Sequence, residues 1–85
     1  MQQDGKDTAL NETELSRQAA EAWRQGDLIT ANRSFAELAR TGPSEPRHWM
    51  NLGVGCQAMG VMRDALKAFQ RAVLLQPGLP RHIAN

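Results

Sequence analysis

The feature that most constrains this chain is an internal repeat, whose period is the separation between Gly26 and Gly60. Shifting the sequence by that period superimposes eight pairs of identical residues, and five of these pairs are helix-breaking residues or small or aromatic core residues, so chance is a poor explanation. The identical pairs are Gly26 and Gly60, Ala31 and Ala65, Phe35 and Phe69, Pro43 and Pro77, Pro46 and Pro80, Arg47 and Arg81, His48 and His82, and Asn51 and Asn85.

The repeat divides the 85 residues into four parts. We expect a flexible tail over residues 1–10, a first unit over residues 11–45, a second unit over residues 46–79 and the start of a third over residues 80–85. A fragment as short as the last one is little more than one helical turn. Either the protein continues past Asn85 or another element covers this end.

Each unit is predicted to contain two helices. Pro46 suits a helix start, with Ser44 or Glu45 as its cap, and Gly60 suits a left-handed helix end. In the first unit, Asn11 and Asp27 are the cap candidates. The apolar faces repeat at helical spacing. They are Leu15, Ala19 and Ala22; then Leu28, Ala31, Phe35 and Leu38; then Trp49, Leu52, Gly53 and Cys56; and last Met62, Ala65, Leu66, Phe69, Ala72 and Val73.

No segment alternates between apolar and polar residues as a strand does, so the predicted fold is all-α, built from tandem antiparallel helix hairpins. The net charge of +1 gives no electrostatic reason to expect nucleic acid or an anionic membrane as a partner. The polar start lacks a signal-peptide core, no apolar run would span a bilayer, and Cys56 is the only cysteine. We therefore expect a cytoplasmic protein.

The sequence shows no pattern that indicates catalysis. His48 and His82 lie one period apart, but neither has a His, Cys or carboxylate four residues later, so a metal site is not expected. No serine lies on a Gly-flanked turn, and no phosphate loop or dinucleotide fingerprint occurs. We expect neither an enzyme nor a cofactor.

The second unit resembles the tetratricopeptide repeat family. The residues that carry the resemblance are Trp49, Leu52, Gly53, Gly60, Ala65, Phe69, Ala72 and Pro77. The first unit departs from the pattern, with Gln18 where the family usually has Leu, Leu15 in place of the Trp and Leu38 in place of a small residue. The departures suggest an end repeat, one face of which meets water.

The resemblance implies a right-handed α-solenoid and a concave groove lined by the first helix of each unit. Such a groove would accept a peptide or protein segment with apolar and acidic groups, because Arg forms forked bonds with carboxylates and exposed Trp is a common hot spot. The implied lining is Thr13, Ser16, Arg17, Ala20, Trp23, Arg24, Arg47, Met50, Asn51, Val54, Gln57 and Arg81.

The family also includes clamps that grip the C-terminal carboxylate of heat-shock chaperones. Asn51 and Arg81 match two positions of that clamp, but Ser16, Ala20 and Asn85 stand where a Lys, an Asn and a basic residue would be needed. Most of the clamp is therefore missing.

Several of these side chains could have a role in packing or at the surface instead of a role in binding. Trp23 could pack at the hairpin, Met50 and Val54 could contact the neighbouring repeat, and the arginines could be solvated surface charges. Phe35, Phe69, Trp49 and Cys56 are expected in the core.

Two other functions compete with the binding scaffold. The chain could be an N-terminal accessory or targeting segment of a larger enzyme, such as a bacterial transferase or hydroxylase. It could also self-associate, because the last helix carries Met62, Leu66, Val73 and Leu75, and an uncovered apolar patch favours dimerisation.

Overall fold

The structure is a computed structural model that describes residues 11–76. Four α-helices follow one another: α1 (Glu12–Arg24), α2 (Leu28–Thr41), α3 (Pro46–Ala58) and α4 (Met62–Leu75). No strand occurs among these residues, so the all-α prediction is confirmed. The expected tail over residues 1–10 and the expected third unit over residues 80–85 lie outside the described residues.

The helix bounds recur with the period of the sequence. α3 begins and ends one period after α1, and α4 begins and ends one period after α2. The turn within each pair has the same geometry, because Gly26 has φ +80° and Gly60 has φ +82°. A residue with a Cβ atom is strained at such angles, which is why the turn takes glycine at both positions.

The helix starts of the two pairs differ in their side-chain caps. The side chain of Asn11 accepts a hydrogen bond of 2.8 Å from the backbone N–H of Glu14, and Asp27 accepts one of 3.1 Å from Thr30, as predicted. Glu45 and Val61 occupy the equivalent positions without a side-chain hydrogen bond. Pro46 follows Glu45 and needs no N–H partner at the first helical position.

Each helix packs chiefly against the next one along the chain, so that α2 lies against both α1 and α3. The buried apolar residues are mostly small, which allows the helix axes to approach closely. They are Leu15, Ala19, Ala22, Ala31, Leu38, Ala39, Cys56, Ala65, Ala68 and Ala72. Cys56 is buried among them as the sequence predicted, whereas Phe35, Phe69 and Trp49 are only half-buried.

The apolar face predicted for α4 is covered on one side only. Ala65 and Ala72 are buried, but Met62, Leu66 and Val73 are exposed. The reason lies in the order of the helices. α2 has α3 against its far side, whereas no element among residues 11–76 covers the corresponding side of α4.

None of the four helices has the length and apolar character needed to cross a membrane.

Candidate binding groove

A cavity of about 490 Å³ opens between α1 and α3, above α2. Its lining combines apolar side chains with a few polar ones, as ligand pockets commonly do. The lining residues are Ser16, Ala19, Ala20, Trp23, Arg24, Phe35, Leu38, Asn51 and Val54. Six of these nine residues belong to the groove predicted from the sequence. The three that do not are Ala19, Phe35 and Leu38.

Trp23 and Phe35 form the aromatic part of this cavity. Their ring centroids are 6.1 Å apart and the rings are tilted by 54°, which is a favourable arrangement for an aromatic pair. Trp23 packs at the hairpin in this way and still has 39% of its surface exposed. Trp23 therefore packs against its own hairpin and still has an accessible surface, so these two interpretations of the residue do not exclude each other.

Sequence reasoning missed the part of the cavity that α2 supplies. Phe35 was expected only in the core, yet it lines the cavity together with Leu38. Ala19 and Ala20 on α1 leave the space open because their side chains are short. The helical spacing of Phe35 and Leu38 identified them as inward-facing, but only the placement of α1 and α3 opens a cavity above them.

Five of the predicted groove residues are exposed without lining the cavity. They are Thr13, Arg17, Arg47, Met50 and Gln57. Arg81, the remaining predicted residue, lies outside the described residues.

Each arginine of the predicted groove that the structure describes has a carboxylate partner in its own chain. Arg17 pairs with Glu14, Arg24 pairs with Glu21, and Arg47 lies 3.0 Å from Glu12. All three guanidinium groups remain largely exposed, and exposed pairs of this kind contribute little stability.

The pair of Arg17 and Glu14 affects both groups. The hydrogen bond from Arg17, with the attraction between the charges, holds the pKa of Glu14 below its usual range. The same hydrogen bond raises the pKa of Arg17. Both shifts favour the charged forms, in which the two groups attract each other.

His48 is a buried polar residue whose role the sequence did not reveal. Its side chain is almost inaccessible, with the residue 3% exposed, and Nε2 lies 3.1 Å from the Oε2 atom of Glu12. The same Glu12 oxygen accepts the bond from Arg47. This contact joins the first turn of α1 to the first turn of α3, at one end of the groove.

The interface between α2 and α3 also contains a polar side chain. Asn32 donates from Nδ2 to the Sγ atom of Cys56 at 3.7 Å, and its Oδ1 atom is buried without a partner among the described residues. Gly55 lies against this amide and has no room for a Cβ atom.

Residues 11–76 hold no group of three or more His, Cys, Asp or Glu side chains placed to bind a metal ion.

The described residues thus form an all-helical protein with a groove between its first and third helices. Comparisons with known proteins find no family model that matches this chain and no significant match among curated proteins or solved structures.

Proposed function

We propose that this chain is a tetratricopeptide-like module that binds a peptide or protein segment in the groove between α1 and α3. The observation that carries the proposal is the cavity of about 490 Å³ that contains Trp23, Phe35 and Val54. Its volume lies within the range of about 300–1,000 Å³ that is usual for ligand pockets.

The solenoid arrangement is part of this proposal. Its support is the recurrence of the helix bounds after one period and the matching turns at Gly26 and Gly60. Units that repeat in this way stack with a constant rotation, which curves the array and gives it a concave side.

The lining of the groove favours binding over catalysis. Its polar groups are the Ser16 hydroxyl, the Asn51 amide and the Arg24 guanidinium. None of these three is a general base at neutral pH, and Ser16 has no hydrogen-bonded base beside it among the described residues. Hydroxyl and amide groups are well suited to hydrogen bonds with the backbone of a bound peptide.

The chemistry of the groove indicates what the bound segment contains. The apolar lining accepts one bulky aliphatic or aromatic side chain, because Ala19 and Ala20 leave room beside Trp23. Arg24 at the same cavity provides a donor for a carboxylate one or two residues away in the bound segment. We therefore propose a partner segment with an apolar anchor followed by an acidic residue.

The test is selection from a displayed library of random peptides, followed by NMR mapping of the selected peptides on the labelled protein. We expect the selected peptides to shift the amide signals of Ser16, Trp23 and Val54. Substituting Val54→Lys fills the apolar cavity with a charge and should weaken binding by at least about tenfold, or about 1.4 kcal/mol.

The matched control is Ile29→Lys, which introduces the same charge at an exposed apolar residue outside the cavity. It should bind the selected peptides as the parent chain does, and both variants should keep the helical circular dichroism spectrum. Peptides that bind Val54→Lys and the parent chain equally would show that the groove is not the binding site.

A further inference from the structure

A second surface of the molecule, on α4, has the properties of a docking site. Met62, Leu66 and Val73 form an exposed apolar row along one side of α4, and the half-buried Phe69, whose ring packs against Gly53 of α3, lies in the same row. A groove of about 550 Å³ runs along this row and is lined by Leu66, Phe69, Gln70, Val73 and Leu74. Leu66 is 58% exposed and Leu74 is 72% exposed.

On α2, the side equivalent to this row is covered by α3. Ala39 lies one period before Val73 and is 1% exposed, because α3 packs over it, whereas Val73 is 45% exposed. The row on α4 therefore corresponds to a helix face that α3 covers on α2, and no element among residues 11–76 covers it.

The contact that holds the start of α3 in place has no counterpart beside α4. Residues 80–85 repeat the start of α3, with His82 one period after His48. The His48 ring lies against Gly42, where a Cβ atom would be 3.2 Å away, and faces Glu12. Gln76 and Pro46 occupy the positions equivalent to Gly42 and Glu12, so neither the glycine nor the carboxylate that His48 contacts is present there.

The charges beside the apolar row indicate the chemistry of the missing partner. Arg63 and Lys67 form the neighbouring row and make no salt bridge with any of residues 11–76, unlike Arg17, Arg24 and Arg40. Asp64 is the only acidic residue of α4, and residues 77–85 contain none. The cations beside the row thus lack an acidic partner in this part of the chain.

We propose that this face of α4 binds an amphipathic helix of another protein, with an apolar row and acidic residues along one edge. A second copy of this chain is a poorer occupant, because each α4 carries Arg63 and Lys67 beside the row, whereas its third cation, Arg71, stacks on Trp49 of α3 and its only acidic residue is Asp64. Two such helices repel each other, whereas an acidic helix is attracted and oriented.

The test uses two synthetic amphipathic peptides of about 18 residues, five helical turns, with the same leucine row. One has Glu along the edge of the row and the other has Lys at the same positions. Fluorescence anisotropy should show the Glu peptide binding at least about tenfold more tightly, a preference that decreases as salt is added. Arg63→Glu with Lys67→Glu should reverse the preference.

The matched control is Arg33→Glu, which changes a basic residue one period before Lys67 and should leave binding unchanged. Leu66→Ser should abolish binding without loss of helical content, while Trp23→Ala should not affect it, which separates this surface from the groove. Equal binding of the two peptides would overturn the proposal. So would sedimentation of the chain as a dimer that Leu66→Ser converts to a monomer.

Discussion

At the scale of single residues, close helix contact depends on the absence of a side chain at two positions. A Cβ atom at Gly53 would lie 2.5 Å from the Phe69 ring, and one at Gly55 would overlap Asn32. Ala19 occupies the position one period before Gly53, so the first pair accepts a methyl group where the second does not. The two units thus have the same helix bounds and the same turns, but their helices pack differently.

We predict that Gly53→Ala destabilises the protein by about 1–3 kcal/mol, although alanine is the better helix former, because the Phe69 ring must be displaced. Urea unfolding measures this effect. In a Phe69→Leu background the same substitution should cost less, since the smaller side chain gives way. An equal cost in both backgrounds would show that the ring does not set the spacing of α3 and α4.

At the scale of helices, the two pairs start their helices by different means. Asp27 caps α2, and the hydrogen bonding from Thr30 holds the pKa of Asp27 below its ordinary value of 3.8. Val61 begins α4 with no side-chain cap, so this helix depends more on its packing against α3.

The Asp27 cap makes stability depend on pH. Because the pKa is lower in the folded state, the contribution of the carboxylate is complete above about pH 4–5 and is lost as the pH falls through the folded pKa. Asp27→Asn keeps a capping side chain that does not titrate. The midpoint of thermal unfolding should therefore fall less between pH 5 and about pH 3 in Asp27→Asn than in the parent chain. A parallel fall would contradict this assignment.

At the scale of the whole molecule, two helix pairs are joined through the α2–α3 interface and a polar contact between α1 and α3. His48 is buried at that contact, between Glu12 and Gly42. It therefore links the two helices that form the walls of the groove.

We predict that His48→Ala destabilises the chain by about 2 kcal/mol, because it leaves a cavity where the buried ring joins α1 to α3. Glu12→Gln should cost less than about 1 kcal/mol, since Glu12 is half exposed and its pairing with Arg47 is solvated. Denaturant unfolding gives both values. Hydrogen exchange should show that the loss of protection in His48→Ala is concentrated in α1 and the start of α3. A uniform loss of protection would show that His48 does not link these two helices.

Most of the secondary structure could be predicted from the sequence. Asn11, Asp27, Gly26, Gly60 and Pro46 act on the backbone within a few residues of themselves, so caps, turns and helix bounds are local properties. The period of the sequence predicted that both pairs would be alike, and their bounds are. The groove lining came from the family resemblance, and six of the residues that it implied line the cavity.

The remaining features depend on which helices lie beside one another, and only the tertiary structure decided them. The burial of His48 requires Glu12 and Gly42 to converge from two other segments, and the cavity requires Phe35 and Leu38 to lie under α1 and α3. The exposure of Leu66 and Val73 follows from the lack of a covering helix among residues 11–76. Helical spacing specifies which residues share a face, but burial depends on a neighbour that is distant in the sequence.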